Sequence, residues 1–108
     1  RPCQVFIARD DLVYLAELAA RNSLFSWMDR CPDAVGERVS IFDQDGTLLA
    51  RSGRGQDASQ LHEFYAAHDI CVDSRGDIYV GEVSVTAAAM AGVDARDLPV
   101  LRKFVRCN

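Results

Sequence analysis

One feature of this 108-residue chain constrains its fold more than any other: the sequence echoes itself. Val5-Phe6-Ile7 returns as Ile70-Cys71-Val72, and Tyr14-Leu15-Ala16-Glu17-Leu18 returns as Tyr79-Val80-Gly81-Glu82-Val83, both at a shift of 65. Val39-Ser40-Ile41-Phe42 then matches Leu101-Arg102-Lys103-Phe104 at a shift of 62, and the difference of three falls in the intervening stretches 19–37 and 84–99. A recurrence at fixed spacing with its internal order kept is the mark of a repeated supersecondary unit. Such a unit buries its apolar faces against its neighbours rather than within itself.

The local chemistry makes that unit a sheet. Arg38–Phe42 alternates polar and apolar residues, the period of a half-buried strand, and Leu101–Val105 does the same. Asp43-Gln44-Asp45-Gly46 and Asp73-Ser74-Arg75-Gly76 supply turn residues that tolerate positive φ, followed by returning strands at Thr47–Ala50 and Asp77–Gly81. Leu12, Leu15, Leu18 and Ala19 also recur at helical spacing, so residues 11–21 have an amphipathic-helix alternative. The match to Tyr79–Val83 decides for a strand. Ala87–Ala91 favours helix by propensity.

Composition narrows the class. The length suits one small domain with one core. A net charge of −4, without a basic cluster interleaved with aromatics, argues against nucleic acid, because phosphate binding needs a basic surface. No apolar run approaches the ~18 residues of a membrane-spanning helix. Cys3, Cys31, Cys71 and Cys107 lack paired C-x-x-C spacing. Cys71 reads as a small buried apolar residue between Ile70 and Val72, and Cys3 and Cys107 sit near opposite ends, where a bridge would close the chain.

With the motifs in hand, "HDICVDSRGDIYVGEV" (68–83) followed by "LRKFV" (101–105) resembles an NHL repeat: a strand, a D-x-x-G turn, an (I/V)YV strand and an alternating strand ending in Phe. "QVFIARDDLVYLAEL" with "RVSIFDQDGTLLA" is similar in the same order. The resemblance implies an all-β chain of about two antiparallel blades of a β-propeller, a fold typically six-bladed. The first blade-like repeat would be 1–51 with an inserted loop 19–37, the linker 52–66 and the second repeat 67–108. Two units do not close a ring, since a repeat array needs about three before its interfaces outweigh its ends. The expectation is therefore an excerpt of a longer propeller, a truncated product, or a protomer that closes by association. Its partners would be further blades of the same parent chain or of another protomer, with a small-molecule or peptide ligand at the channel mouth.

Within that group, the His-Asp start of the second copy is most similar to the metal-bearing blade of peptidyl-α-hydroxyglycine α-amidating lyase domains. That resemblance implies zinc held by His68 and calcium held by Asp69. Cys3 and Gln4 stand at the matching positions of the first copy, so blade packing alone does not fix this pair. His62, the other histidine, lies in a loop and matches no motif position. A plain reading of His68-Asp69 is a hydrogen-bonded pair in which the carboxylate sets the imidazole tautomer. Glu17 and Glu82, matched at strand ends, read as solvated carboxylates or cross-blade acceptors. Two functions follow: a binding or scaffold propeller segment, or part of a metal-dependent propeller enzyme of the lyase or lactonase-like group. The insert 19–37, with Trp27, Met28 and Cys31, is long enough to carry function.

Overall fold

The computed structural model describes residues 2–18, 37–53 and 64–107. His62, Trp27, Met28 and Cys31 lie outside the described residues. Seven strands and one helix are described: β1 (Pro2–Ile7), β2 (Val13–Glu17), β3 (Arg38–Phe42), β4 (Leu48–Ser52), β5 (Ala67–Val72), β6 (Ile78–Glu82), α1 (Ser84–Ala91) and β7 (Leu101–Phe104). They form a four-stranded antiparallel sheet in the order β1-β2-β3-β4 and a three-stranded one in the order β5-β6-β7. The chain is thus mostly antiparallel β, and residues 13–17 are strand. Among the described residues no helix is long and apolar enough to cross a membrane.

The echo in sequence is an echo in register. Val5 pairs with Leu15 and Ile7 with Val13, as Ile70 pairs with Val80 and Val72 with Ile78. Val13 pairs with Phe42, as Ile78 pairs with Phe104. Even the irregularity repeats: the ladder slips by one residue between Pro2 and Gln4 and again between Ala67 and Asp69. Cys3 and His68 are therefore both the extra residue of a β-bulge.

The hairpin turns explain how the register is held. In the second sheet Gly76 N–H donates to Asp73 O, and Asp73 N–H to Asp77 O (both 3.0 Å). The Asp73 carboxylate accepts from the N–H groups of Arg75 and Asp77. Gly76 takes φ +85°, which a side chain disfavours. Asp43–Thr47 repeats this arrangement between β3 and β4. The β1–β2 turn has the same backbone bonds, but Ala8 replaces the aspartate and Asp11 holds the left-handed position at φ 63°.

The core lies between the sheets. Phe6, Tyr14 and Ile41 pair across one face of the first sheet, joined by Ala16 and Val39. They pack on Ile70, Val80, Val72, Ile78 and Phe104 of the second sheet, with Phe64 and Ala67 at the edge. Ile70 is 2% exposed and Val80 0%, each contributing roughly 1.5–3 kcal/mol as a fully buried side chain. The counterparts of Ile70, Val72, Ile78, Val80 and Phe104 in the first sheet are Val5, Ile7, Val13, Leu15 and Phe42, which alternation turns to the opposite face. The two sheets are stacked front to back, like successive cards in a deck.

The Ala-rich stretch inside 84–99 forms α1, as its propensity favours, closed by Gly92 in a left-handed C-cap. Two expectations about the cysteines change. Cys71 is exposed, because its neighbours Ile70 and Val72 take the core face and leave it on the outer one. Cys107 is also a free, exposed thiol, so no bridge joins it to Cys3.

Candidate functional site

The bulges bring the chemistry-bearing residues to one end of each sheet. A bulge adds a residue that the ladder does not pair, and so re-aims the side chain it carries. His68 is exposed on β5 beside Asp69, also exposed, whose Oδ1 accepts from Ile70 N–H (2.9 Å). Asp69 pairs across the ladder with Gly81, where the missing side chain leaves room beside the Asp69 Cβ. Cys3 stands at the same position of β1, and β1 lies against β5.

Immediately beside each bulge is a buried carboxylate. Pro2 pairs with Glu17 and Ala67 with Glu82. The Glu17 carboxylate accepts two bonds from the Arg38 guanidinium (2.6 and 2.8 Å) and a third from the Ser40 hydroxyl (2.5 Å). Arg51 Nε in turn donates to Ser40 Oγ (2.9 Å). Burial pushes the Glu17 carboxyl up. The Arg38 and Ser40 hydrogen bonds and the charges of Arg38 and Arg51 outweigh it and hold the carboxyl below the usual glutamate range. Glu82 has a side chain 0% exposed. One of its oxygens accepts from Tyr65 N–H (2.7 Å) and Ala66 N–H (3.1 Å), and the other accepts from Arg102 Nε. The Arg102 guanidinium also lies over the Phe64 ring, 5.6 Å from its centre.

These carboxylates are neither solvated nor shared between sheets, as their strand-end positions suggested. Each ties its own sheet together. Glu82 also fastens the segment entering β5 to β6 and β7. The arginines and Ser40 escaped the sequence reading. The signal was a glutamate closing one strand and an arginine in the strand that pairs with it.

The chain matches no family model, no curated protein and no solved structure.

His68 and Asp69 supply one imidazole and one carboxylate side by side, types suited to zinc and calcium respectively. A catalytic zinc takes three protein donors. Among the described residues no group of three His, Cys, Asp or Glu side chains converges. The pair on β5 therefore does not make a zinc centre by itself. Elsewhere, an apolar cleft of about 180 Å³ opens between the sheets at their outer strands, lined by Ile41, Ala50, Phe64, Ile78 and Phe104 among others. It is smaller than the ~300 Å³ at which ligand pockets begin, and among the described residues its polar lining is Arg51 and Ser52, with no carboxylate, histidine or cysteine beside them.

Proposed function

We propose that this chain is a segment of an NHL-type β-propeller that serves as a binding scaffold for a ligand or another protein. The observation that carries the reading is the front-to-back stacking of two sheets whose ladders share one register. A unit stacked this way leaves unlike faces at its two ends, and further units of the same kind continue the array until it closes on itself. The bulged ends of β1 and β5, carrying Cys3 and His68, then stand side by side at one rim. There, differences between units are free of packing constraints and suit recognition.

Two measurements test the reading. In NMR spectra the Tyr14 ring gives cross-peaks to methyl groups of β5 and β6; a Tyr14 ring that sees only its own sheet overturns the stacked array. Elemental analysis and calorimetric titration with zinc and calcium separate scaffold from metal-dependent enzyme. The scaffold takes up neither ion in stoichiometric amount, whereas one equivalent of zinc, lost in His68→Ala, overturns it.

A further inference from the structure

The outer face of the first sheet is apolar and open toward its hairpin end, while the network of Glu17, Arg38, Ser40 and Arg51 occupies its other end. Val5 is 53% exposed and Ile7 65% on one edge strand, Leu48 is exposed on the other edge strand beside Phe42, and Val13, Leu15 and Phe42 are half-buried between them on the same face. A contiguous apolar patch on a sheet face marks a surface that another surface covers. The molecule itself contains the pattern of what covers it. The equivalent residues of the second sheet, Ile70, Val72, Ile78, Val80 and Phe104, are covered by Phe6, Tyr14, Ala16, Val39 and Ile41. The second sheet presents the counterparts of that covering set on its own outer face: Cys71, Tyr79, Gly81, Leu101 and Lys103. Tyrosine answers tyrosine, glycine answers alanine and leucine answers valine. The two ladders have the same pairing, so the covering residues have the same stagger on both faces. Two charges lie on that face: Asp69, exposed opposite Gly81 where the first sheet has the exposed Gln4, and Lys103, whose Nζ is 2.9 Å from Asp77 Oδ2 and lies over the Tyr79 ring, 5.0 Å from its centre.

We propose that a second copy of this chain covers the outer face of the first sheet with the outer face of its β5–β7 sheet, repeating between molecules the stacking found within one. This rests on the stacked-module reading and adds the identity of the occupant. The contact is heterologous: each copy offers one face and receives the other, so association continues to a ring or an open stack.

Sedimentation of the purified protein over a range of concentrations tests it, with Ile7→Asp spoiling one face and Leu101→Asp the other. Both side chains are exposed, so neither change buries a charge within the monomer. The wild-type mass rises above the monomer with concentration. Each variant alone associates at least about tenfold more weakly, because docking would bury its carboxylate against apolar surface. An equimolar mixture of the two restores one good face pair and forms a one-to-one dimer that grows no further. A wild-type monomer at every concentration overturns the proposal. If its Tyr14 cross-peaks to β5 and β6 persist, the stacked-module reading stands and the second copy alone is excluded; if they are missing, both fall. A single variant that still dimerises overturns the front-to-back contact in favour of a like-to-like one. Leu101→p-benzoylphenylalanine in an isotope-mixed sample gives a readout that does not depend on the aspartate variants. Intermolecular photo-crosslinks to Val5, Ile7 or Val13 support the contact, and crosslinks confined to other surfaces overturn it.

Discussion

The two sheets share a ladder and differ in how they secure it. In the first, Glu17 meets Arg38 directly across the strand pair, and Ser40 and Arg51 extend the network toward the sheet edge. In the second, Arg102 stands at the position equivalent to Ser40, two residues along the strand from where Arg38 would lie. Glu82 uses its spare oxygen to hold the N–H groups of Tyr65 and Ala66. The first network is a side-chain clamp within a sheet; the second is a clamp plus an anchor for an incoming backbone segment. A fixed register therefore demands a carboxylate at the end of the second strand, but it leaves the position of the cation open. The chain keeps the acid in both copies and moves the base.

The difference predicts unequal losses. Glu82→Gln removes the carboxylate charge to which the buried Arg102 guanidinium donates and weakens the acceptor of two backbone N–H groups. Its cost is about 3–5 kcal/mol, the range for breaking a buried pair. Glu17→Gln costs less, about 1–2 kcal/mol, because the Arg38 side chain is 21% exposed and regains water. Urea unfolding of the two variants measures both. Equal losses would break the comparison, since they would mean that the backbone anchor at Glu82 adds nothing.

The pH dependence sharpens the same point. Burial raises the Glu17 and Asp73 carboxyls, but hydrogen bonds outweigh it: Arg38 and Ser40 at Glu17, the Asp77 and Arg75 N–H groups at Asp73. Both end below their ordinary values. The Lys103 hydrogen bond, with the Arg106 N–H, lowers Asp77. A carboxyl depressed on folding lends stability that is fully present above its unfolded pKa, about 4, and is lost as pH falls through the folded one. Stability is therefore level near neutrality and declines in acid. In Glu17→Gln the deficit relative to wild type is largest near neutrality and shrinks as pH falls. A deficit that stays constant down to acid pH would show that Glu17 acts by shape and not by charge.

The turns give a smaller contrast. Gly76 and Asp11 occupy the same left-handed position of equivalent hairpins. Asp11→Gly relieves that conformation and stabilises by about 0.5 kcal/mol, while Gly76→Asp costs about 1 kcal/mol. A Cβ at Gly76 also meets the Arg106 side chain at 2.8 Å. Thermal melts of the two exchanges should move in opposite directions. Movement the same way would mean that the turns are equivalent in outline only.

Much of this was legible before any coordinates. Strand positions follow from alternation and from turn residues, and those are local. The echo arbitrated the one real ambiguity, residues 11–21, because a helix there could not match Tyr79–Val83. What was not legible depends on which face meets which. Ile70-Cys71-Val72 is apolar throughout, so nothing in it says that Cys71 is the exposed member; that follows from the sheet having a neighbour on one side. Arg38–Phe42 alternates in sequence, but Ser40 is fully buried because it serves Glu17. The ion pairs were hidden for a related reason: the arginine sits at a different ladder position in each copy, so comparing the copies cancels the signal instead of reinforcing it. His68 and Asp69 are placed beside each other by the chain itself, and the bulge that exposes His68 has no signature in the residues flanking it.

The smallest expected effect tests the comparison at its closest match. Ala16 in the first sheet and Gly81 in the second are equivalent, and Ala16 is fully buried between the sheets while Gly81 is half-buried on the outer face. Among the described residues a Cβ at Gly81 would meet only the Asp69 Cβ, at 3.4 Å, an ordinary contact. Gly81→Ala therefore removes a flexible residue from a strand interior and stabilises by about 0.5 kcal/mol, as read by urea unfolding of dilute protein. The side chain it adds is the one the first sheet already uses at its packed interface. If the outer face of the second sheet is built for the same kind of contact, the substitution leaves association intact or strengthens it. A loss above about 1 kcal/mol would mean that a backbone or side chain already approaches Gly81 too closely for a methyl group. In that case the two faces are not equivalent surfaces, however well their ladders align.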